Sequence, residues 1–340
     1  MCTRRRGYRG RMTDHRPGLD PAVAEVRLAV RGALQPGTTV VVGLSGGADS
    51  LALAAAVAFE APKIGVRAVA VTIDHGLQEG SADAAASAAR QAEALGLETR
   101  VVRVQVRAEG GPEGAARTAR YLALRAAAVE LDAAAVLVGH TLDDQAETVL
   151  LGLARGSGGT SLQGMAAASD LDGIALVRPM LEVRRSTTRS ACTAQGLTAW
   201  DDPHNDDSAF ARVRVRTTVL PVLEAELGPG IAEALARTAA QLREDAEAFD
   251  DMIDETIEDI VEHAEAGIAV SVAALAANPA ALRHRIIRHV VASEFHESLT
   301  RRQTLDVARL VTDWSGQGPI DLPGCRARRD GARVIIEARG

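Results

Sequence analysis

The chain has 340 residues, of which 47% are hydrophobic, and this length is sufficient for two domains with a full core. No apolar run is long enough to span a membrane, so the sequence predicts a soluble protein. The three cysteines, Cys2, Cys192 and Cys325, are dispersed and form no CxxC pair. This pattern predicts a cytoplasmic protein in a reducing compartment, and it argues against a zinc ribbon, an iron–sulfur cluster and a disulfide framework. The net charge of −7 does not by itself indicate nucleic-acid binding, although arginines cluster locally.

Residues 1–20 form a basic arm, with arginines at positions 4–6 and no apolar stretch behind them. A signal peptide needs such an apolar stretch, so this pattern argues against one. We expect either a disordered arm or an over-long start ahead of Met12. A helix over residues 21–34 is expected to follow it.

Strand and helix patterns alternate from residue 40 to residue 155. Short apolar runs predict strands at 40–42, 66–73, 98–106 and 135–138. Helical patterns lie between and after them at 51–59, 82–95, 113–131 and 142–155. This alternation predicts an α/β fold with a doubly wound, mostly parallel sheet that helices cover on both faces. Ligands of such sheets bind beyond the carboxyl ends of the strands.

The first predicted strand runs into Ser45-Gly46-Gly47-Ala48-Asp49-Ser50, which opens the next helix. Two adjacent glycines let backbone N–H groups point at one ligand, and the helix N-terminus adds the positive end of its dipole. The stretch therefore predicts a phosphate site, although a glycine pair after a strand can also be only a tight turn. It is not a Walker loop, because no Lys follows the glycines. Asp49 would repel a bare phosphate, so it indicates a magnesium-bridged one.

Two polar stretches follow the second and fourth predicted strands. Asp74-His75-Gly76-Leu77 is either part of a ligand site or an Asp-capped turn. After the fourth strand, His140 precedes a helix whose Asp143, Asp144 and Glu147 share helical spacing. Carboxylates in a first turn are also ordinary helix chemistry, but these face the same sheet edge as the glycine loop, which favours function.

Two further stretches have both a structural and a functional interpretation. Arg117, Arg120 and Tyr121 share one helix face, which is usually a solvated one. The glycine-rich stretch 155–159 indicates a lid, a clamp or a linker.

The string Ser-Gly-Gly-x-Asp-Ser resembles the pyrophosphate loop (PP-loop) of the ATP pyrophosphatase superfamily, whose members split ATP between its α- and β-phosphates. The ordered set of motifs resembles one family within it, the tRNA(Ile)-lysidine synthetases. The matching stretches are Ser45–Ser50, Asp74–Leu77, Ala116–Tyr121, Gly139–Thr148, Arg155–Gly158, Gly164-Met165, Arg178–Leu181 with Arg185, Trp200–Asn205, and Phe210–Arg216 with Val219-Leu220-Pro221. Val213 and His204 stand where the family usually has Asn and Ser, which puts the contacts of those two side chains in doubt.

This resemblance implies ATP-dependent ligation of free L-lysine to C2 of the wobble cytidine in tRNA(Ile) with a CAU anticodon. The reaction passes through an adenylated cytidine, uses ATP and Mg²⁺, and releases pyrophosphate and AMP. The family also suggests a homodimer through a linker helix. One alternative is a PP-loop enzyme of the tRNA 2-thiocytidine synthetase type, but that chemistry uses paired cysteines and this sequence has no CxxC. Another alternative is a non-catalytic tRNA-binding relic, but Asp49, Ser50 and Asp143-Asp144 are intact.

The resemblance also implies roles for individual residues. The ATP-binding set is Ser45, Gly46, Gly47, Ala48, Asp49, Ser50, Asp74, His75, His140 and Arg155. The catalytic set is Asp49, Asp143, Asp144, Glu147 and Arg117, with Asp49 holding Mg²⁺ and a carboxylate binding and deprotonating the incoming lysine. The tRNA-binding set is Arg178, Arg185, Asn205, Arg212, Arg214 and Arg216.

The expected domains are a PP-loop catalytic domain over 21–223 and a linker helix with a tRNA-binding domain over 224–340. The second domain is expected to be a smaller, mostly helical α+β unit. Its pattern predicts helices at 231–263, 279–295 and 301–313 and a strand pair at 319–324 and 333–337.

Overall fold

The computed structural model describes residues 18–76, 80–104, 112–156, 158–202, 207–264 and 267–339. The chain divides into two compact units, residues 1–240 and 241–340. Most of the predicted N-terminal arm, and Asn205 of the predicted tRNA-binding set, lie outside the described residues.

The first unit is an α/β unit built on a six-stranded sheet. Its strands are β1 (Thr39–Gly43), β2 (Arg67–Asp74), β3 (Glu98–Arg103), β4 (Ala135–Leu137), β5 (Ala168–Asp170) and β6 (Ala175–Val177). Its helices are α1 (Pro21–Arg31), α2 (Ala48–Glu60), α3 (Ser81–Ala94), α4 (Pro112–Glu130), α5 (Leu142–Arg155), α6 (Gly159–Leu162), α7 (Arg185–Ala194), α8 (Ala211–Arg214) and α9 (Leu220–Leu227). A 3₁₀ turn (Ala61–Ile64) follows α2, and a π-helical turn (Val215–Val219) joins α8 to α9.

The strands lie in the order β3-β2-β1-β4-β6-β5, and every neighbouring pair is parallel except β5 with β6. The predicted α/β class with a mostly parallel sheet is therefore confirmed. The chain moves to one side of β1 through β2 and β3, and β4 lies on the other side. The crevice beyond β1 and β4 is thus the point where strand order reverses, where open α/β sheets bind ligands.

Burial explains why β1 and α2 form the centre of this unit. Val41 and Val42 have no exposed surface, as expected of a strand covered on both faces. Leu51 and Leu53 of α2 are equally buried, and α2 packs against α1 and α7. The loop between β1 and α2 is therefore held at both ends by rigid elements.

Some elements of the first unit differ from the sequence prediction. The β5–β6 hairpin and the helices beyond Arg155 did not appear in it, because these elements are short and their apolar pattern is weak. The third strand ends at Arg103, and residues 105–111 lie outside the described part of the chain.

The second unit contains an antiparallel sheet in the order β7-β8-β11-β10-β9. Its strands are β7 (Val261–Ala264), β8 (Gly267–Ser271), β9 (Ile320–Asp321), β10 (Cys325–Asp330) and β11 (Arg333–Ala338), and its helices are α11 (Val272–Ala277), α12 (Ala280–Phe295) and α13 (Arg301–Thr312). Helix α10 (Ile231–Ile260) contains the boundary between the units. The helix predicted to reach residue 263 ends earlier because 261–264 pairs with β8, and β9 pairs with β10 rather than with β11. Within the described residues, no helix is long and apolar enough to cross a bilayer.

Candidate active site

The phosphate loop, residues 45–50, is closed by the hydroxyl of Ser50. Ser50 Oγ donates to the carbonyl of Gly47 at 2.9 Å and accepts from Ser45 N and Ser45 Oγ, each at 3.1 Å. Gly47 is the N-cap of α2 and has no side chain to cap it. The first N–H groups of α2 are therefore available to an anion, and the helix dipole favours negative charge there.

Two glycines permit the close contacts around this loop. Gly46 has φ = +86°, a left-handed conformation that favours glycine, and its carbonyl accepts from Trp200 N at 2.9 Å. Gly139 follows β4, and a Cβ placed on it would lie 3.0 Å from the carbonyl atoms of Asp49. The loops after β1 and β4 are thus in contact only because residue 139 has no side chain.

Asp49, in the first turn of α2, is held by two side chains of α7. Thr188 Oγ1 donates a hydrogen bond to Asp49 Oδ1, and Arg185 Nε lies 3.5 Å from Asp49 Oδ2. Burial raises the pKa of Asp49, with the nearby Asp144 carboxylate acting in the same direction, while Thr188 and Arg185 oppose the rise. One quarter of the side chain remains exposed, so the carboxylate is accessible to a ligand.

Glu147 of α5 is the centre of an ion-pair cluster, although its side chain is fully buried. Oε1 accepts from Arg185 Nη1 at 2.9 Å and Arg216 Nε at 2.7 Å. Oε2 accepts from Arg212 Nε at 2.9 Å and Arg216 Nη2 at 3.1 Å. Three arginines from α7, α8 and the π-helical turn therefore converge on one carboxylate, which we call the Glu147 cluster (Glu147, Arg185, Arg212 and Arg216).

The other two acidic residues of α5 also have structural partners. Asp144 Oδ2 accepts from Thr141 N at 2.9 Å and Thr141 Oγ1 at 2.8 Å, and Oδ1 accepts from Arg185 Nη2 at 2.7 Å. Burial alone would raise the pKa of Asp144, but Arg185 and the Thr141 N–H outweigh it and lower the pKa. Asp143 Oδ2 accepts from the backbone N of Arg185 at 2.7 Å, so it caps the start of α7.

A second group of side chains near this edge is cationic or neutral. Arg117 and Arg120 of α4 lie 5.2 and 5.6 Å from the ring centre of Tyr121, and neither pairs with a carboxylate among the described residues. The pKa of Arg120 is lowered, chiefly by burial. Burial also lowers the pKa of His75, and it lowers that of His140 to about 3 with the help of nearby arginines, so both imidazoles are neutral near pH 7. Their Nδ1 atoms are buried and have no hydrogen-bond partner in the described part of the chain.

The site thus combines a phosphate loop, a carboxylate beside it and a polar sheet edge at one switch point. Comparison with known proteins agrees with this geometry. Residues 23–223 match the family described as PP-loop domain, and residues 271–334 match the TilS substrate binding domain. The chain belongs to the tRNA(Ile)-lysidine synthase family. This confirms the resemblance drawn from the motifs.

Two relatives show the extent of the match. The tRNA(Ile)-lysidine synthase of Leifsonia xyli subsp. xyli is 61% identical over 298 residues, covering 87% of this chain and 89% of the relative. That of Thermobifida fusca is 48% identical over 328 residues, covering 94% of this chain and 99% of the relative. The solved U34-tRNA thiolase NcsA from Methanococcus maripaludis shares the fold, with a TM-score of 0.56 and 20% identity over 66% of this chain and 80% of that one.

Several of the predicted site residues have structural contacts or lie far along a helix from the rest of the predicted set. Asp74 is tied to Ser81 Oγ at 2.8 Å and Gly76 N at 3.0 Å, and these bonds lower its pKa. Arg155 is exposed in the last turn of α5, about 20 Å along the helix from Asp143. Arg178 is buried and donates to the carbonyl of Ala166 at 2.8 Å. Their predicted roles stay predictions.

The predicted tRNA-binding arginines divide into two groups in the structure. Arg185, Arg212 and Arg216 are members of the Glu147 cluster. Arg214 is exposed, and its Nη1 donates to the carbonyls of Ser208 and Ala209 at 2.7 and 2.8 Å. Arg120 and Thr188 were not predicted as site residues. The shared helix face of Arg117 and Arg120 could have indicated Arg120, whereas no local sequence pattern marks Thr188.

The family implies a magnesium ion. Among the described residues, no three His, Cys, Asp or Glu side chains are grouped to hold a metal by themselves. Mg²⁺ is commonly bound by one or two carboxylates together with substrate phosphates and water. Asp49, partly exposed beside the phosphate loop, fits that second arrangement.

A cavity of about 160 Å³ lies next to the Glu147 cluster. Its wall combines carboxylates of Asp143 and Glu224, guanidinium groups of Arg184 and Arg216, and the apolar side chain of Leu220. The cavity is thus lined by positive charges, negative charges and an aliphatic surface, and this lining suits a zwitterionic ligand with an aliphatic stem.

Proposed function

We propose that this chain ligates L-lysine to C2 of the wobble cytidine of tRNA(Ile) with a CAU anticodon, with ATP converted to AMP and pyrophosphate. Membership of the tRNA(Ile)-lysidine synthase family makes it a ligase that forms lysidine on tRNA(Ile). The observation that carries the chemical proposal is the contact between the phosphate loop and the loop after β4, which brings Asp49 next to the polar start of α5.

In the first step the cytosine O2 attacks the α-phosphate and pyrophosphate leaves. The N–H groups at the start of α2 stabilise the charge that grows on the leaving diphosphate. Asp49 would hold Mg²⁺, which when bound offsets phosphate charge. Arg117 and Arg120, which have no carboxylate partner among the described residues, supply cationic donors for the same phosphates. The neutral His75 and His140 can hydrogen-bond to nucleotide without adding charge.

In the second step the ε-amine of lysine attacks C2 and AMP leaves. We assign the free lysine to the cavity beside the Glu147 cluster, where Arg184 and Arg216 suit its carboxylate and Asp143 suits an ammonium group. Glu147 is fully buried, and arginines engage both of its oxygens. Asp143 is partly exposed, with Oδ2 bound to Arg185 N and Oδ1 3.3 Å from Arg184 Nη2, so it is the more accessible acceptor for the proton that the ε-ammonium must lose before attack.

For the tRNA, the exposed Arg214 is the strongest candidate of the predicted set for a phosphate contact. The target cytidine must leave its stack to reach the phosphate loop, and Trp200, whose backbone N–H binds Gly46, is the aromatic residue at that place. The homodimer, suggested by the family resemblance, and the cytoplasmic location, suggested by the cysteines, stay predictions.

The test is a reconstituted reaction with purified chain, MgATP and an unmodified tRNA(Ile) transcript with a CAU anticodon. We expect pyrophosphate release that needs the tRNA, and incorporation of radiolabelled lysine at the wobble nucleoside, identified by mass spectrometry. A methionine tRNA transcript, which shares the CAU anticodon, is the matched control and should incorporate little lysine. Pyrophosphate release without any lysine product would instead indicate a different PP-loop modification.

A further inference from the structure

One face of helix α7 is directed at the start of α2. Arg185, Thr188 and Cys192 are spaced three and four residues apart and so lie on the same side of the helix. Thr188 and Arg185 contact the Asp49 carboxylate, and Cys192 Sγ donates to the carbonyl of Ala48 at 3.2 Å. Three side chains of one helix therefore contact two consecutive residues of the phosphate loop.

Thr188 is the most constrained of the three. It has no exposed surface, and its hydroxyl lies within hydrogen-bonding distance of two acceptors, Asp49 Oδ1 and the Arg185 carbonyl at 2.8 Å. A threonine hydroxyl has one proton to donate. A hydrogen bond to an ionised carboxylate is stronger than one to a neutral carbonyl, so the Thr188 hydroxyl donates its proton to the hydrogen bond with Asp49.

This bond fixes the torsion of the Asp49 side chain. An aspartate in the first turn of a helix can otherwise rotate toward the free backbone N–H groups of that turn. Thr188 holds Oδ1 from the side of α7, and Oδ2 is left for Arg185 and for a ligand. Because α7 is itself capped by Asp143 of α5, the hydroxyl is rigidly placed relative to the sheet edge.

We propose that Thr188 is a positioning residue for the ligation reaction: its hydroxyl holds the Asp49 carboxylate in the orientation that the nucleotide phosphates and their metal ion require. The proposal rests on the role of Asp49 in the proposed function. It also assigns this face of α7 to the nucleotide site, so that Arg185, predicted from sequence as a tRNA contact, serves the phosphate loop and the Glu147 cluster.

The experiment compares three variants of the full chain. Thr188→Val removes the hydroxyl with little change of shape, and Thr188→Ser restores a hydroxyl. Thr193→Val is the matched control, because Thr193 lies on the same helix, is exposed, and donates only to the carbonyl of Arg189 among the described residues. For each variant we would measure the Kd of a non-hydrolysable ATP analogue with Mg²⁺ and with EDTA, the kcat and KM of pyrophosphate release, and the Kd for tRNA(Ile).

For Thr188→Val we expect the analogue to bind about tenfold more weakly with Mg²⁺, and kcat for pyrophosphate release to fall by about tenfold or more. Binding with EDTA and the Kd for tRNA should change by less than about twofold, because the phosphate-loop N–H groups and the tRNA contacts remain. Thr188→Ser should recover most of the loss, and Thr193→Val should match the wild type. A residue that only supports packing would not respond differently to Mg²⁺ and EDTA.

The proposal would be overturned if Thr188→Val bound the ATP analogue as tightly as the wild type and had the same kcat. It would also be overturned if analogue binding weakened equally with Mg²⁺ and with EDTA. If Thr188→Val does not fold, Thr188→Cys takes its place, since a thiol fills similar space and is a weak donor; full activity in that variant would overturn the proposal equally. Absence of lysine incorporation by the wild type would defeat the proposed function instead, and the magnesium-dependent difference in analogue binding would still test Thr188.

Discussion

Arg212 donates from Nε to Oε2 of Glu147 at 2.9 Å, and the carboxylate that receives this bond has no contact with solvent. The arginine belongs to α8 and the glutamate to α5, 65 residues earlier in the chain. Arg185 and Arg216 complete the Glu147 cluster and join α7 and the π-helical turn to the same point. A buried carboxylate thus fixes the position of three elements that border the candidate active site.

Glu147→Ala is expected to destabilise the fold strongly. It would leave three partly buried guanidinium groups without their shared counter-charge, and breaking a buried ion pair from one side typically costs about 3–5 kcal/mol. The measurement is the free energy of unfolding in urea. Glu130→Ala is the control, since Glu130 is an exposed ion-pair partner of Arg100. This variant should lose less than about 1 kcal/mol of unfolding free energy. Equal stability of the two variants would contradict the role given to Glu147.

Arg214 and Arg216 are two residues apart in sequence, but their substitution is expected to have different effects on stability and on tRNA binding. Arg216→Ala should lower the melting temperature, because Arg216 makes two hydrogen bonds to Glu147. Arg214→Ala should leave the melting temperature nearly unchanged and weaken tRNA binding, with the slope of log K against log salt reduced by about 1. Thermal denaturation and tRNA titrations at several salt concentrations would test both. An unchanged salt slope in Arg214→Ala would remove the proposed phosphate contact.

Gly139→Ala is expected to displace the start of α2. The added methyl group would lie 3.0 Å from the carbonyl carbon and oxygen of Asp49 and 3.1 Å from Ser50 N, all backbone atoms that cannot rotate away. Overpacking of this kind costs about 1–3 kcal/mol, and we expect MgATP affinity to fall with stability. Gly114→Ala in α4 is the matched control, because no atom lies within 4 Å of the added methyl group and alanine favours a helix. Nucleotide binding and urea unfolding should separate the two variants.

The sequence is sufficient to predict where β1 to β4 and the phosphate loop occur along the chain, because buried β-branched runs and a glycine turn are local signals. It is not sufficient to predict whether the arginine side chains face the solvent or the interior. A charged side chain is expected at the surface, but Arg185, Arg212 and Arg216 turn inward because Glu147 is buried beneath them. Thr188 could not be found for a related reason: its partner Asp49 is 139 residues away, and nothing near residue 188 indicates the contact.

Acidification should destabilise the fold through His140. Its pKa is lowered from 6.5 to about 3, chiefly by burial; Asp144 opposes the shift, and Arg117, Arg178 and Arg120 contribute to it. Below pH 6.5 the unfolded chain binds a proton at this residue while the folded chain does not, so the stability present above that pH is lost as the pH falls toward the folded value.

The loss of unfolding free energy between about pH 7 and pH 5.5 is therefore expected to be about 1 kcal/mol larger in the wild type than in His140→Asn. Urea unfolding of both proteins at the two pH values measures this difference, and the comparison cancels the contributions of other titrating groups as long as they are the same in both. Identical acid sensitivity would mean that the folded and unfolded chains bind a proton at His140 with the same pKa. Burial would then not keep the imidazole neutral in the folded chain, as the proposed nucleotide site requires.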